Sequence, residues 1–321
     1  MTSSGRFDLA DLLALLDVEE IDRNLYRAIN PDFGVDRHLY GGQVAAQALR
    51  AAALTVGDDR FVHSTHGYFL RLGRSDMPTI LHVHRDRDGR SYSHRRVEAV
   101  QNGEVIFSLS ASFNVAEQGP EMEIPAPEGV WDVESLPQAG LGQGNPEHLD
   151  LFEIRVLMTE PHPEQPPGHL RSPSRYWVRP LGTVGDDPVL NACIVMYFSD
   201  MGSGFSELDL PGAPFGGGPT LDHSVWFHRP VTVDQWLLLH LEPVIATRGR
   251  GLYRGGVYDR SGRRLATVNQ EIVLRSIRAD GVQRVADLWK PWQARRHERP
   301  AAAPQNTDSE EDNADGRERD V

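Results

Sequence analysis

Gln270 stands on what should be an entirely apolar strand face. In the stretch RRLATVNQEIVLR, residues 263–275, side chains alternate between faces, so Ala266, Val268, Gln270, Ile272 and Leu274 share one side. Four are apolar and the fifth is an amide. A buried primary amide left unpaired costs about 1–3 kcal/mol, so Gln270 needs a partner. A backbone group would make it structural; another polar side chain would make it part of a site. Two earlier residues qualify. Asp200 closes the apolar run VLNACIVMYFSD, and a helix C-terminus disfavours a carboxylate unless a donor meets it; a solvated helix stop at DMGSG explains it equally. Thr220, in GGGPTLDHSVWFHRP, falls immediately before a strand, where a plain loop hydroxyl is common. Together a carboxylate, a hydroxyl and an amide can orient one water and take its proton. None of the three is a strong nucleophile in its ordinary state, so that chemistry requires no covalent intermediate.

Other constellations carry less. Asp222 and His223 are adjacent, but neighbours in a strand face opposite ways and cannot pair. Cys193 lies mid-helix among Ala192, Ile194 and Val195 with no identifiable base. The serine-hydrolase elbow G-x-S-x-G is absent from the sequence. His82 and His84 have i, i+2 spacing, without a third ligand at a recognisable interval. Arg71, Arg74, Arg90, Arg95, Arg96, Arg248 and Arg250 are candidates for binding phosphate, and nothing in the sequence selects among them.

The elements that would position the trio recur. HSTHGYFLR, from His63, and DHSVWFHRP, from Asp222, superpose with Phe69 on Phe227, and each is followed by a hairpin turn and a long strand. The turns are Asn102-Gly103 and Ser261-Gly262. This is the pattern of an internal duplication. Each copy opens with a helix: Gly41 to Leu54 in the first, and in the second a helix N-capped by Asp187 with Pro188 at its first position. The second helix is apolar almost all round and must be buried on most sides. One buried helix wrapped by an antiparallel sheet, twice over, is an α+β architecture. Residues 1–115 form the first repeat, 116–148 a Pro/Glu/Gly-rich linker, 149–290 the second repeat and 291–321 a disordered acidic tail. Aligning Gly103 with Gly262 sets Ala111 opposite Gln270. The first copy therefore fills the same position with an apolar side chain.

Composition bounds the partners. A net charge of −13 argues against nucleic acid. No apolar run is long enough to span a membrane, and MTSSGRFDLADLLALLDVEE is too acidic and broken for a secretory signal. The single cysteine excludes an intramolecular disulfide and points to a reducing, cytoplasmic setting.

The motifs LYGGQVAAQALRAA, VHSTHGYFLRLG and GRSYSHRRVEAVQNGEVIF in the first copy, with VMYFSD, TLDHSVWFHRP and VNQE in the second, resemble the acyl-CoA thioesterase II family across roughly residues 15–290. The resemblance implies a double hotdog fold and hydrolysis of fatty acyl-CoA to free acid and coenzyme A. It implies no cofactor or metal, and a homo-oligomer, dimer or tetramer, formed through the sheets. It places the family's catalytic aspartate, threonine and glutamine on Asp200, Thr220 and Gln270. Helix physics adds Gly41 and Gly42, at the start of the first helix, as candidate oxyanion or substrate contacts. The competing readings are a hotdog enoyl-CoA hydratase and a non-catalytic acyl-CoA sensor whose acidic tail contacts a partner.

Overall fold

The computed structural model describes residues 7–30, 38–127, 132–136, 151–157, 174–201 and 215–276. The acidic tail, the later part of the linker, and Gly202 and Gly204 after Asp200 lie outside these residues. A short helix α1 (Leu9–Leu16) leads into the hairpin β1 (Glu19–Asp22) and β2 (Leu25–Ala28). The first copy continues with helix α2 (Gly41–Ala53) and strands β3 (Arg60–Phe69), β4 (Thr79–Asp88), β5 (Tyr92–Gln101) and β6 (Glu104–Val115). The second has β7 (Phe152–Leu157), β8 (Ser174–Pro180), helix α3 (Pro188–Ser199), β9 (Phe215–Phe227), β10 (Leu237–Thr247), β11 (Arg250–Tyr258) and β12 (Arg264–Ser276). Helix α2 packs against β3, β4, β5 and β6 of its own half and against α3, and the two tandem copies make the chain a double hotdog.

All twelve strands join one antiparallel sheet in the order β1-β2-β4-β5-β6-β3-β9-β12-β11-β10-β8-β7. Each half of that order mirrors the other, with β3 and β9 meeting at the centre. In their pairing His66 faces Ser224, and superposing Phe69 on Phe227 makes those same two residues equivalent, so the pseudo-twofold axis passes between them. The ladders agree: Thr65 pairs with Ala111 across β3 and β6, and His223 pairs with Gln270 across β9 and β12.

Local sequence explains the helices. Asp187 caps α3 by accepting from the backbone N–H groups of Val189 and Leu190, and Pro188 follows at the first position, where it has no N–H to leave unpaired. Every residue of α3 from Asn191 to Ser199 is buried, which its all-round apolar surface requires. The two helices lie side by side and antiparallel. The start of α2 meets the end of α3, where the Tyr40 hydroxyl donates to the Tyr197 carbonyl at 2.7 Å. At the other end Arg50 reaches Asp187 at 3.7 Å. Gly42 makes the close approach possible, because a Cβ there would fall 2.3 Å from the Tyr197 carbonyl oxygen.

Candidate active site

The three polar residues converge at the C-terminal end of α3. Asp200 is its C-cap. Gln270, on the inner face of β12 and only 2% exposed, donates from Nε2 to Asp200 Oδ1 at 2.7 Å and to Thr220 Oγ1 at 2.7 Å. The Thr220 hydroxyl in turn donates to Asp200 Oδ1 at 3.0 Å. The amide required a partner and has two, both side chains.

Thr220 differs from its expected setting. It lies inside β9 rather than in the loop before it. Strict alternation from the buried His223 and Val225 would turn Thr220 to the outer face with Asp222. The ladder slips by one residue: Glu271 pairs with Asp222 but Ile272 pairs with Thr220, leaving Leu221 as a bulge. That extra residue turns the hydroxyl inward.

The two glycines at the start of α2 lie against the carboxylate. The backbone N–H of Gly42 donates to Asp200, so at least this one of the two stabilises the carboxylate. Gly41 faces the other carboxylate oxygen: a Cβ on it would fall 2.5 Å from Asp200 Oδ2 and 3.0 Å from the Phe69 ring. Burial pushes the Asp200 pKa up to about 6, against the pull of the bonds from Thr220, Gln270 and Gly42. The carboxylate is nevertheless reachable from one side, because it lines a cleft of about 500 Å³ together with Leu39, Val44, Phe69, Ile106 and Thr220. The walls are apolar, and Arg71 at the rim is the one cation lining it among the described residues. A larger cavity of about 980 Å³ lies under the linker on the outer face of the second half. Its charged walls pair with one another, Arg229 with Glu121 and Glu123 and Arg254 with Glu242, and it contains none of the trio.

Behind Gln270 lies His223, a residue that its adjacency to Asp222 gives no reason to select. It is fully buried, its Nε2 is 2.8 Å from Ser199 Oγ, and burial pushes its pKa down to about 4, so the ring is neutral. It does turn away from Asp222, as strand alternation requires; Asp222 accepts from the Glu271 N–H instead. Superposing Phe69 on Phe227 aligns His223 with Thr65, and that contrast is the one signal in the sequence that marks it. Cys193 is buried and its thiol pKa is pushed up to about 12, so it is inert as a nucleophile.

The first copy has no counterpart of this site. The C-cap of α2 is Leu54, not a carboxylate. Ala111 replaces Gln270, and the residue paired with it on β5 is Arg95. Arg95, among the candidate phosphate ligands, is fully buried and donates to the Thr55 hydroxyl at 2.6 Å and the Thr55 carbonyl at 2.9 Å. A guanidinium there satisfies the negative end of α2, so its role is structural.

Comparison with known proteins finds two matching family models in tandem, described as the acyl-CoA thioesterase N-terminal domain over residues 29–114 and the acyl-CoA thioesterase C-terminal domain over residues 119–274. Acyl-coenzyme A thioesterase 8 of Rattus norvegicus is 34% identical over 294 residues, covering 84% of this chain and 91% of its own. Acyl-CoA thioesterase 2 of Haemophilus influenzae is 34% identical over 291 residues, covering 83% of this chain and 98% of its own. Among solved structures, an acyl-CoA thioesterase II from Mycobacterium marinum superposes with a TM-score of 0.70 at 33% identity, covering 83% of this chain and 98% of that one.

Proposed function

The chain belongs to the acyl-CoA thioesterase family, and from that membership we propose that it hydrolyses fatty acyl-CoA through a water activated by Asp200. The observation that supports this most is the closed set of hydrogen bonds joining Gln270, Thr220 and Asp200. The Gln270 amide and the Thr220 hydroxyl both donate to one carboxylate oxygen, Oδ1. They fix the carboxylate and leave Oδ2, on the side of Gly41 and the cleft, to accept a proton from water. Gln270 thus orients the base and need not touch the water itself. The water adds to the thioester carbonyl carbon, Asp200 takes its proton, and collapse of the tetrahedral intermediate expels the coenzyme A thiolate. The N–H of Gly41, the first of helix α2, supports the oxyanion. The apolar wall of Leu39, Val44, Phe69 and Ile106 takes the acyl chain, and Arg71 at the rim would exchange Glu104, its partner at 2.6 Å, for a phosphate of the coenzyme.

A hydratase would need a histidine and an acid facing the acyl chain. His223 is sealed behind Gln270 instead, and no reading but hydrolysis uses the bonded trio. No helix among the described residues is long and apolar enough to cross a membrane. We place the chain in the cytoplasm, in lipid metabolism, on the strength of its lone buried cysteine and its substrate class. Exposed aromatic residues on the sheet, Phe61, Tyr68 and Tyr92, favour association of copies.

Release of thiol from a panel of acyl-CoA chain lengths tests the function. Wild-type chain should turn over, while Asp200→Ala and Gln270→Ala should each lose at least about 100-fold in kcat. Wild-type rates in both variants would remove the proposed mechanism.

A further inference from the structure

Gln270 serves Asp200 in only one of its two amide orientations. With Nε2 toward Asp200 and Thr220 it donates twice; turned by 180°, its carbonyl oxygen would face a carboxylate. Something on the far side must hold the amide in place. The residue opposite Gln270 in the β9–β12 ladder is His223, and the two side chains interact directly. The Nε2 of the ring is met by Ser199 at 2.8 Å, and the Gln270 Nε2 is met by Asp200 and Thr220. The atoms left over, His223 Nδ1 and Gln270 Oε1, are both buried, and among the described residues neither meets a hydrogen-bond partner in good geometry.

Resting on the hydrolase reading above, we propose that His223 is a positioning residue: as the Nδ1–H tautomer it donates to Gln270 Oε1 and so holds the amide N–H groups on Asp200 and Thr220. Ser199 sets the tautomer. Its hydroxyl, 2.8 Å from Nε2 and 3.4 Å from the Met196 carbonyl, is required to donate to the ring; Nε2 then carries no proton, and the single proton of the neutral ring stays on Nδ1. His223 is absent from the lining of the cleft and acts only through Gln270. The first copy is an internal control: where the amide is replaced by Ala111, the imidazole is replaced by Thr65.

Two measurements test this on the full chain. In ¹⁵N spectra, with the His223 signals identified by their loss in His223→Asn, the ring should be neutral and protonated on Nδ1 at pH 7. An unprotonated Nδ1 would overturn the proposal. In thiol-release kinetics, His223→Leu should lower kcat about 100-fold, the loss typical of a misplaced catalytic group, with KM within about threefold. His223→Asn, whose amide nitrogen stands close to the position of Nδ1, should stay within about fivefold of wild type in kcat. Folded His223→Leu with wild-type kcat, or folded His223→Asn as slow as His223→Leu, would contradict it. Failure of the wild-type chain itself to release thiol would overturn the hydrolase reading and leave the tautomer result standing on its own.

Discussion

Asp200 is a costly residue for the fold to keep. A carboxylate whose pKa rises to about 6 on folding, from near 4 in the unfolded chain, is favoured in its protonated form by the native state. The contribution to stability is therefore fully present below about pH 4 and lost as pH rises through about 6. In the proposed mechanism catalysis runs the other way, because Asp200 as base must be ionised, so kcat should climb with pH through an acid limb near 6. Asp200→Asn separates the two effects. It should be inactive, and its stability relative to wild type should increase by about 2 kcal/mol between pH 4 and pH 7, read as the difference in urea unfolding free energy. A pH-independent difference would mean that the carboxylate is not held against its preference.

Helix ends do much of the positioning, and they are the most legible elements in the sequence. Asp187 and Pro188 announce the start of α3, and the cap forms as they imply. The cap sits at the opposite end of the helix from Asp200, so Asp187→Ala should cost about 1 kcal/mol of stability, measured by urea denaturation, and leave kcat unchanged. A large loss of kcat would show that the helix ends are coupled. The Asn102-Gly103 turn is equally plain, and both residues adopt positive φ. Helix α1 is an element that the repeat pattern does not reveal, although its own signals are present: Asp8 and Asp11 form a capping box, and Leu9, Leu12 and Leu16 are its buried stripe. The bulge at Leu221 is not legible. Period-two alternation turns Thr220 outward, and only its ladder partner on β12, about fifty residues away, reveals the slip. The hairpin of β1 and β2 is hidden for another reason, since every residue of β1 is exposed and no hydrophobic alternation marks it.

At the scale of the molecule, duplication supplied two equivalent positions and the sequence has specialised them. The alignment of Ala111 with Gln270 needs only the two turn glycines, and it suffices to separate the polar trio from its apolar counterpart. What the repeat does not reveal is the fate of the first site, because that depends on Arg95 reaching the carboxyl end of α2 across the sheet. On the proposed assignment of one site to each chain, a single turnover can be interpreted directly. Enzyme in slight excess over acyl-CoA, mixed in H₂¹⁸O and quenched after one turnover, distinguishes water as the attacking group from Asp200 as a nucleophile. One ¹⁸O in the released fatty acid and none in the peptide containing Asp200 is the expected result. Label in Asp200 with unlabelled acid would contradict direct attack by water.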